Sequence, residues 1–476
     1  FTTGSTGPAR GVEYTHGGVA AMCETLPRVY GDMQGAVTFV TLPLFALFDA
    51  LLGLPAVLAP MDPTKPADVD SLRLAEAMNR FGCTHMFASP ALLNRLGPDV
   101  ERAGQRIPSL RTVICGGAPV MPRVLEQFRR VLGPAATVSA TYGATEALPM
   151  ASIESRELLG VRDRTAAGAG TCAGYPSEGL EVAILPISDE PRAAMPAPLE
   201  RGEIGEVAVR GRIVSPRYHE DPHNDALAKI PGTSGTWHRT GDLGSLDESG
   251  RLWFAGRKSD RVRTADGPLF TVQCEGIFNG LPLVYRTALV GVGPPARQRP
   301  VLCVELTAPA SGAALDAIEA DLRRIAASHP LTRGIDAFLF HPGFPVDIRH
   351  NAKIGRDLLA VWAARHVPHE GGDALPSDAR LWTRALPIAG WLFLLYGLFF
   401  PLPYAALRAL WVIDLVLSVG AHGLQLFAAL PAGKRAGYPT ASIVFFTMLY
   451  GATWWKLLQP RELRGRALSP SRSGSA

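Results

Sequence analysis

Short β-branched runs alternate with amphipathic stretches through the first part of the chain, and no other feature limits its fold as strongly. Ala36-Val-Thr-Phe-Val40 precedes an apolar stretch at 44–52, and the helical pattern 71–81 precedes Thr84-His-Met-Phe-Ala88. Leu110-Arg-Thr-Val-Ile-Cys115 precedes a second helical pattern at 121–132, which is followed by Thr137-Val-Ser-Ala-Thr-Tyr142. Strands alternating with helices predict an α/β fold built on parallel sheets, with ligands bound near the strand carboxyl ends. After residue 180 the strands shorten, as in Glu181-Val-Ala-Ile-Leu185, Glu206-Val-Ala-Val-Arg210 and Leu252-Trp-Phe-Ala255, and predict a small β-rich subdomain. A further unit begins near Arg261, with strand candidates Ala288-Leu-Val-Gly-Val292 and Val301-Leu-Cys-Val-Glu-Leu306 around a helix at 312–328.

The last part of the chain is written for another solvent. Residues 385–407, 410–430 and 438–458 are apolar segments, each long enough to cross about 30 Å of hydrocarbon. Trp454 and Trp455 beside Lys456 read as an interfacial anchor. Pro387, Pro401 and Pro403 mark the first segment for a bend or a re-entrant path. The expectation is membrane attachment, with lipid as a partner and the preceding domain in the cytoplasm. The number of crossings stays open, because three would carry Lys456, Arg461, Arg464 and Arg466 outward against the positive-inside tendency.

With 476 residues the chain holds two or three domains, and a net charge of +4 is too small for a general nucleic-acid binder. The cysteines, Cys23, Cys83, Cys115, Cys172, Cys274 and Cys303, are scattered without a CxxC pair and read as small buried hydrophobes in a reducing compartment. His16, His85, His238 and His350 lack metal-site spacing.

Chemistry-bearing residues cluster in short stretches. Phe1-Thr-Thr-Gly-Ser-Thr-Gly-Pro-Ala-Arg10 is rich in hydroxyls and glycine and ends in a cation. Glycine turns successive N–H groups toward one point and arginine adds charge, so this composition suits phosphates, although a flexible linker shares it. It lacks the Walker A spacing. Gly116-Gly-Ala-Pro119 follows an apolar strand and lets backbone approach a flat ligand. Tyr142-Gly-Ala-Thr-Glu146 sets an aromatic face beside a carboxylate, and Arg239-Thr-Gly-Asp242 offers a carboxylate suited to a ribose diol. Gly256-Arg-Lys-Ser-Asp260 is a charged turn between the soluble units, and Arg349-His-Asn-Ala-Lys353 carries a cation near the end of the second.

In this order the stretches resemble the adenylate-forming superfamily of acyl-CoA synthetases, luciferases and nonribosomal adenylation domains, over residues 1 to about 362. The resemblance implies a partial large adenylation domain at 1–256, a small mobile C-terminal lid at 257–365, a linker at 366–383, a membrane segment at 384–460 and a basic disordered tail at 461–476. In the family about 150–200 residues precede the phosphate loop, so the pattern implies that a larger enzyme extends upstream. It further implies that Thr2, Thr3, Gly4, Ser5, Thr6, Gly7 and Arg10 hold the β- and γ-phosphates of ATP, Arg10 standing where lysine is commoner. Gly117, Ala118 and Pro119 would line the adenine, Tyr142 with Gly143 would stack on it, and Thr145 and Glu146 would sit at the α-phosphate and Mg²⁺. Asp242 and Arg257 would hold the ribose, and Asp260 would be the hinge. Lys353, Glu146 and Thr6 would be catalytic.

Within the superfamily, Phe344-Pro-Val-Asp-Ile-Arg-His-Asn-Ala-Lys-Ile354 departs from the common Gly-Lys pattern at Ala352. It resembles the olefin-biosynthesis β-lactone synthetases, as do Pro43-Leu-Phe-Ala-Leu-Phe48, Trp237-His-Arg-Thr-Gly-Asp242 and Val272-Gln-Cys-Glu-Gly-Ile-Phe-Asn279. That resemblance implies activation of a long-chain β-hydroxy acid and closure of its own hydroxyl to a β-lactone, with Pro43–Phe48 bordering the acyl pocket and partner enzymes in an olefin or lipid pathway. The alternatives are a fatty-acyl-CoA ligase, which would add CoA as cosubstrate, and an inactive membrane-anchored nucleotide-binding remnant.

Overall fold

The computed structural model describes residues 1–2, 9–31, 33–233, 235–346, 353–367, 390–435 and 440–450. They divide into two compact units, Phe1–Val367 and Pro368–Ala476.

The first unit is organised by one long sheet. Its strands are β1 (Thr38–Val40), β2 (Ala56–Leu58), β3 (His85–Ala88), β4 (Thr112–Gly116), β5 (Thr137–Ala144), β6 (Ala147–Glu154), β7 (Thr171–Pro176), β8 (Glu181–Leu185), β9 (Gly205–Arg210), β10 (Lys229–Ile230), β11 (Trp237–Leu246) and β12 (Leu252–Arg257). They run in the order β2-β1-β3-β4-β5-β6-β7-β12-β11-β9-β8, with β10 paired to β11. Pairing is parallel from β2 through β5 and antiparallel from β5 onward.

The expected α/β alternation between residues 36 and 142 is therefore present. The expected separate β-rich subdomain is not: those later strands extend the parallel sheet into one mixed sheet. The reason is local. Thr145 and Glu146 form a tight turn after β5, so β6 returns along its neighbour, with Tyr142 opposite Ala151, and the next strands add to that edge.

Capping and close packing fix the helices between the parallel strands. Asp70 accepts from Arg73 N at 3.1 Å to start Ser71–Arg80, and Ser89 Oγ accepts from Leu92 N at 3.2 Å to start Pro90–Arg102. Their inner faces bury Leu74, Met78, Leu92, Leu93 and Leu96, each contributing about 2 kcal/mol as it leaves water. Gly97 lets Pro90–Arg102 lie against Pro122–Arg129, since a Cβ there would meet Phe128 Cα at 3.2 Å.

A smaller sheet follows, made of β15 (Val284–Val292), β16 (Arg299–Leu306) and β17 (Ala337–Phe340), after a hairpin of β13 (Val262–Thr264) and β14 (Gly267–Leu269). Alternation along β15 sends Leu289 into one apolar core, with Phe278, Leu302 and Leu322, and sends Ala288 and Val290 into another, with Val301, Leu359 and Ala363. The cores of the long sheet end at Trp253, and those of the small sheet begin at Val262.

In the second unit the described residues form helices at Gly390–Phe399, Ala405–Leu415, His422–Arg435 and Thr440–Tyr450, with a π-helical turn at Val416–Ala421 joining the middle two. Among the described residues one helix, Ala405–Phe427, is long and apolar enough to cross a membrane. The expected first span is interrupted: its described helical part is Gly390–Phe399, and the chain leaves helical geometry before Ala405, around Pro401 and Pro403. The tail at 461–476 and the anchor residues Trp454 and Trp455 lie outside the described residues.

Candidate active site

A cleft of about 1040 Å³ opens where the carboxyl ends of β4 and β5 face the small sheet. From the large sheet it is lined by Gly117, Ala118, Pro119, Tyr142, Gly143, Asp242 and Arg257, and from the other side by Asp260 and Lys353. Nine of the residues singled out in the sequence thus share one cavity.

Each arrives there for a local reason. Gly117 takes φ +93°, a conformation that glycine adopts without strain, so the chain leaves β4 with its backbone bare toward the cleft. A side chain at Gly143 would meet Leu148 Cδ1 at 2.7 Å and Ala147 O at 3.3 Å, so the β5–β6 turn leaves little room there and Leu148 would have to move. Asp242 and Arg257 are cross-strand partners in the β11/β12 register. Tyr142 Oη donates to Asp242 Oδ2 at 2.7 Å, and Arg257 Nε stands 3.0 Å from Oδ1. That second contact is one of charge, off the N–H axis, and buried Oδ1 has no hydrogen-bond partner among the described residues.

Burial pushes the Asp242 carboxyl above its ordinary range, against the pull of Arg257, Tyr142 and Lys353. The Asp242 charge in turn raises Arg257 further. A buried carboxylate with one oxygen engaged and the other unsatisfied is built to accept from a ligand hydroxyl.

The turn that carries Asp242 and the Gly256–Asp260 segment are held by a single carboxylate. Glu206 accepts from Arg239 Nη2 at 2.6 Å and Nε at 3.0 Å, and from Lys258 Nζ at 2.7 Å. Arg239 and Glu206 are both 1% exposed. Asp260 lies 3.5 Å from Arg356 Nε, and Arg356 binds both oxygens of Glu275, at 2.5 and 2.9 Å. Arg356 opens the helix Arg356–His366 three residues after Lys353, and the isolated bridge Val346↔Ile354 pins the backbone next to that lysine.

A second group forms around the β5–β6 turn. Thr2 and Arg10 close the base of the hydroxyl-rich loop, with Arg10 N donating to Thr2 Oγ1 at 3.0 Å and Thr2 N to Arg10 O at 2.9 Å. The Arg10 guanidinium lies 5.5 Å from the Tyr218 ring centre, and Tyr218 Oη donates to Glu146 Oε1 at 2.7 Å. Tyr14 Oη donates to Thr145 O at 2.6 Å. Glu146 is buried at that turn and is not part of the cleft lining. Thr3, Gly4, Ser5, Thr6, Gly7 and His350 lie outside the described residues.

The chain is similar to known proteins. Residues 1–219 match the family of AMP-binding enzymes. The chain is 47% identical over 375 residues to an olefin beta-lactone synthetase of Xanthomonas campestris pv. campestris, covering 77% of this chain and 66% of that protein. It is 46% identical over 374 residues to an olefin beta-lactone synthetase of Stenotrophomonas maltophilia, covering 77% and 67%. The chain belongs to the AMP-binding, adenylate-forming enzymes. It spans about two thirds of the length of these curated relatives. Among solved structures, O-succinylbenzoate coenzyme A synthetase from Bacillus subtilis, in complex with ATP and magnesium ion, shares the fold at TM-score 0.58 and 22% identity, covering 75% of this chain and 68% of that one. Amide bond synthetase McbA from Marinactinospora thermotolerans does so at TM-score 0.61 and 24% identity, covering 75% and 67%.

For an adenylate-forming enzyme the residues fit a nucleotide: unsatisfied Asp242 Oδ1 suits a ribose hydroxyl, and the bare backbone at Gly117 with the ring of Tyr142 suits a flat base. Glu146 supplies a hard oxygen of the kind Mg²⁺ prefers. Among the described residues no group of three His, Cys, Asp or Glu side chains forms a metal cage, so a cation here would draw most of its ligands from phosphate and water.

Two buried groups at this end, Tyr218 and Lys229, escaped the sequence reading, and His238, noted there only for lacking metal-site spacing, packs beside Tyr218. Tyr218 meets Glu146 across 72 residues, and Lys229 donates to Ser215 O at 2.6 Å and to Ser215 Oγ at 3.1 Å. His238, opposite Lys229 in the β10/β11 register, leaves Nδ1 without a hydrogen-bond partner among the described residues. No spacing in the sequence ties these residues to Glu146. The buried lysine, in so short an apolar strand, was the one available signal.

Proposed function

We propose that this protein activates a long-chain β-hydroxy fatty acid with ATP and closes the resulting acyl-adenylate to a β-lactone. The observation that carries the reading is the single cleft in which the Tyr142, Asp242 and Arg257 group faces Lys353. The identity to olefin beta-lactone synthetases supports the product.

In this reading Asp242 holds the ribose through Oδ1, and Arg257 beside that oxygen favours the charged carboxylate against the cost of burial. Tyr142 packs the base from one side while the Gly117–Pro119 backbone borders it. The substrate carboxylate attacks the α-phosphorus, and Lys353 neutralises the charge that grows on the phosphoryl oxygens, so catalysis is chiefly positioned electrostatics. Glu146 would offer a carboxylate oxygen to Mg²⁺, a cation that would add neutralising charge at the phosphates. Tyr218 keeps the Glu146 carboxylate in place by donating to one oxygen. Asp260 acts as the hinge of a lid that carries Lys353. The β-hydroxyl then attacks the acyl carbon, the bond to AMP breaks and the hydroxyl proton is lost. Attack within one molecule gains an effective molarity that helps offset ring strain. The C-terminal helices attach the enzyme to the membrane that holds its lipid substrate, through Ala405–Phe427.

Incubation with ATP, Mg²⁺ and a long-chain β-hydroxy acid tests the reading. β-Lactone without CoA supports it, thioester formed only with CoA replaces it with a fatty-acyl-CoA ligase, and absence of pyrophosphate release leaves a nucleotide-binding remnant.

A further inference from the structure

Tyr285, the second residue of β15, is gripped by two helices of the large sheet. Asn94 Nδ2 donates to its hydroxyl at 3.3 Å, Arg123 Nη2 donates to its carbonyl at 3.0 Å, and the Arg123 guanidinium lies 4.7 Å from its ring centre. All three residues line the cleft. The next residue passes the contact on. Arg286 Nε donates to Glu305 Oε2 at 2.7 Å, and the same oxygen accepts from Phe344 N at 3.0 Å. Phe344 lies two residues before the isolated bridge Val346↔Ile354, and Gly355 N donates to Pro345 O at 2.8 Å, so this segment is tied to the residues that follow Lys353. Polar contacts and short stretches of chain thus link the helices behind the Gly117 loop to the backbone next to Lys353.

Resting on the proposed β-lactone reading, we infer that Tyr285 is a positioning residue that keeps the lid closed over the acyl-adenylate, so that adenylation and ring closure proceed without reopening. The balance of the chemistry permits it. Ring closure needs no entering molecule: the β-hydroxyl oxygen bonds to the acyl carbon, AMP leaves with the electrons of the broken bond, and one proton departs. An open lid admits water, which would attack the same carbon and return the free hydroxy acid and AMP, spending ATP for nothing.

The intact protein tests this through the ratio of AMP to β-lactone formed from ATP and a β-hydroxy acid without CoA. The wild type is expected to hold the ratio near one, and Tyr285→Ala to raise it by about threefold or more as adenylate escapes to water. Tyr285→Phe, which keeps the ring against Arg123, should stay near the wild type. A merely structural tyrosine would lower both products together, and an unchanged ratio in Tyr285→Ala overturns the inference. In a second arm Asn94→Cys/Tyr285→Cys is bridged by a short bis-maleimide after substrates bind. Lactone formed in that single turnover supports the inference, and pyrophosphate release that stalls at acyl-adenylate refutes it. A wild type that releases pyrophosphate but never yields lactone refutes the underlying reading instead.

Discussion

Replacing Asp242 by asparagine should weaken nucleotide use and stabilise the fold in the same protein. The amide keeps the shape and can still accept from Tyr142 Oη, which lies 2.7 Å from the native carboxylate. It loses the charge beside Arg257 and the charged acceptor at Oδ1. A hydrogen bond to a charged group contributes about 1.5–3 kcal/mol, and one or two weakened ribose contacts then cost about 2–3 kcal/mol. At about 1.4 kcal/mol per tenfold, the KM for ATP should rise by roughly 30- to 150-fold. Stability moves the other way. Burial holds the folded-state pKa of this carboxyl above its ordinary 3.8, so its stabilising share is present at low pH and is lost as pH rises through the folded value. At neutral pH the ionised group therefore opposes folding, and the uncharged asparagine is expected to raise Tm. Pyrophosphate release against ATP concentration and a thermal melt at pH 7 read the two effects. A variant with unchanged KM and a lowered Tm would show that Asp242 braces the sheet and does not hold the nucleotide.

Three other changes have defined outcomes. Lys353→Ala should cut ATP–pyrophosphate exchange by about 100-fold or more while leaving Tm nearly unchanged, and exchange at the wild-type rate would remove the lysine from the reaction. Glu206→Gln leaves Arg239 and Lys258 without their shared buried counter-charge, and breaking a buried ion pair costs about 3–5 kcal/mol, so thermal melts should show a fall in Tm of more than about 5 °C. Lys229 is pushed down from 10.5 to about 8 by burial, so its charge opposes folding fully below the folded value and ceases to do so above the unfolded one. The Tm difference between Lys229→Met and the wild type should accordingly shift in favour of the wild type as pH rises between about 8 and 10.5, and a difference independent of pH would contradict the assignment.

The strands and helices between residues 36 and 142 were legible because burial on both sheet faces forces runs of apolar residues, and a parallel register forces a helix between them. The site was legible where one motif supplies both a turn and a functional atom, as at Gly117, Asp242 and Lys353. What stayed hidden depends on pairing across long sequence distances. The β5–β6 turn at Thr145 and Glu146 decides that the later strands join the main sheet, yet a two-residue turn has little signature beyond Gly143. Tyr218 and Lys229 belong to the site only because the sheet folds them onto Glu146, and Tyr285 only because β15 packs against Asn94 and Arg123. The apolar C-terminal stretches were visible as composition, but the breaks at Pro401 and Pro403 set where helices stop.

The most direct test of the account is the product formed by the intact protein from ATP, Mg²⁺ and a long-chain β-hydroxy acid with CoA withheld. The account predicts one β-lactone for each pyrophosphate released, identified by mass and by its strained-ring carbonyl absorption. Pyrophosphate release with no lactone, and thioester appearing only when CoA is added, would contradict it.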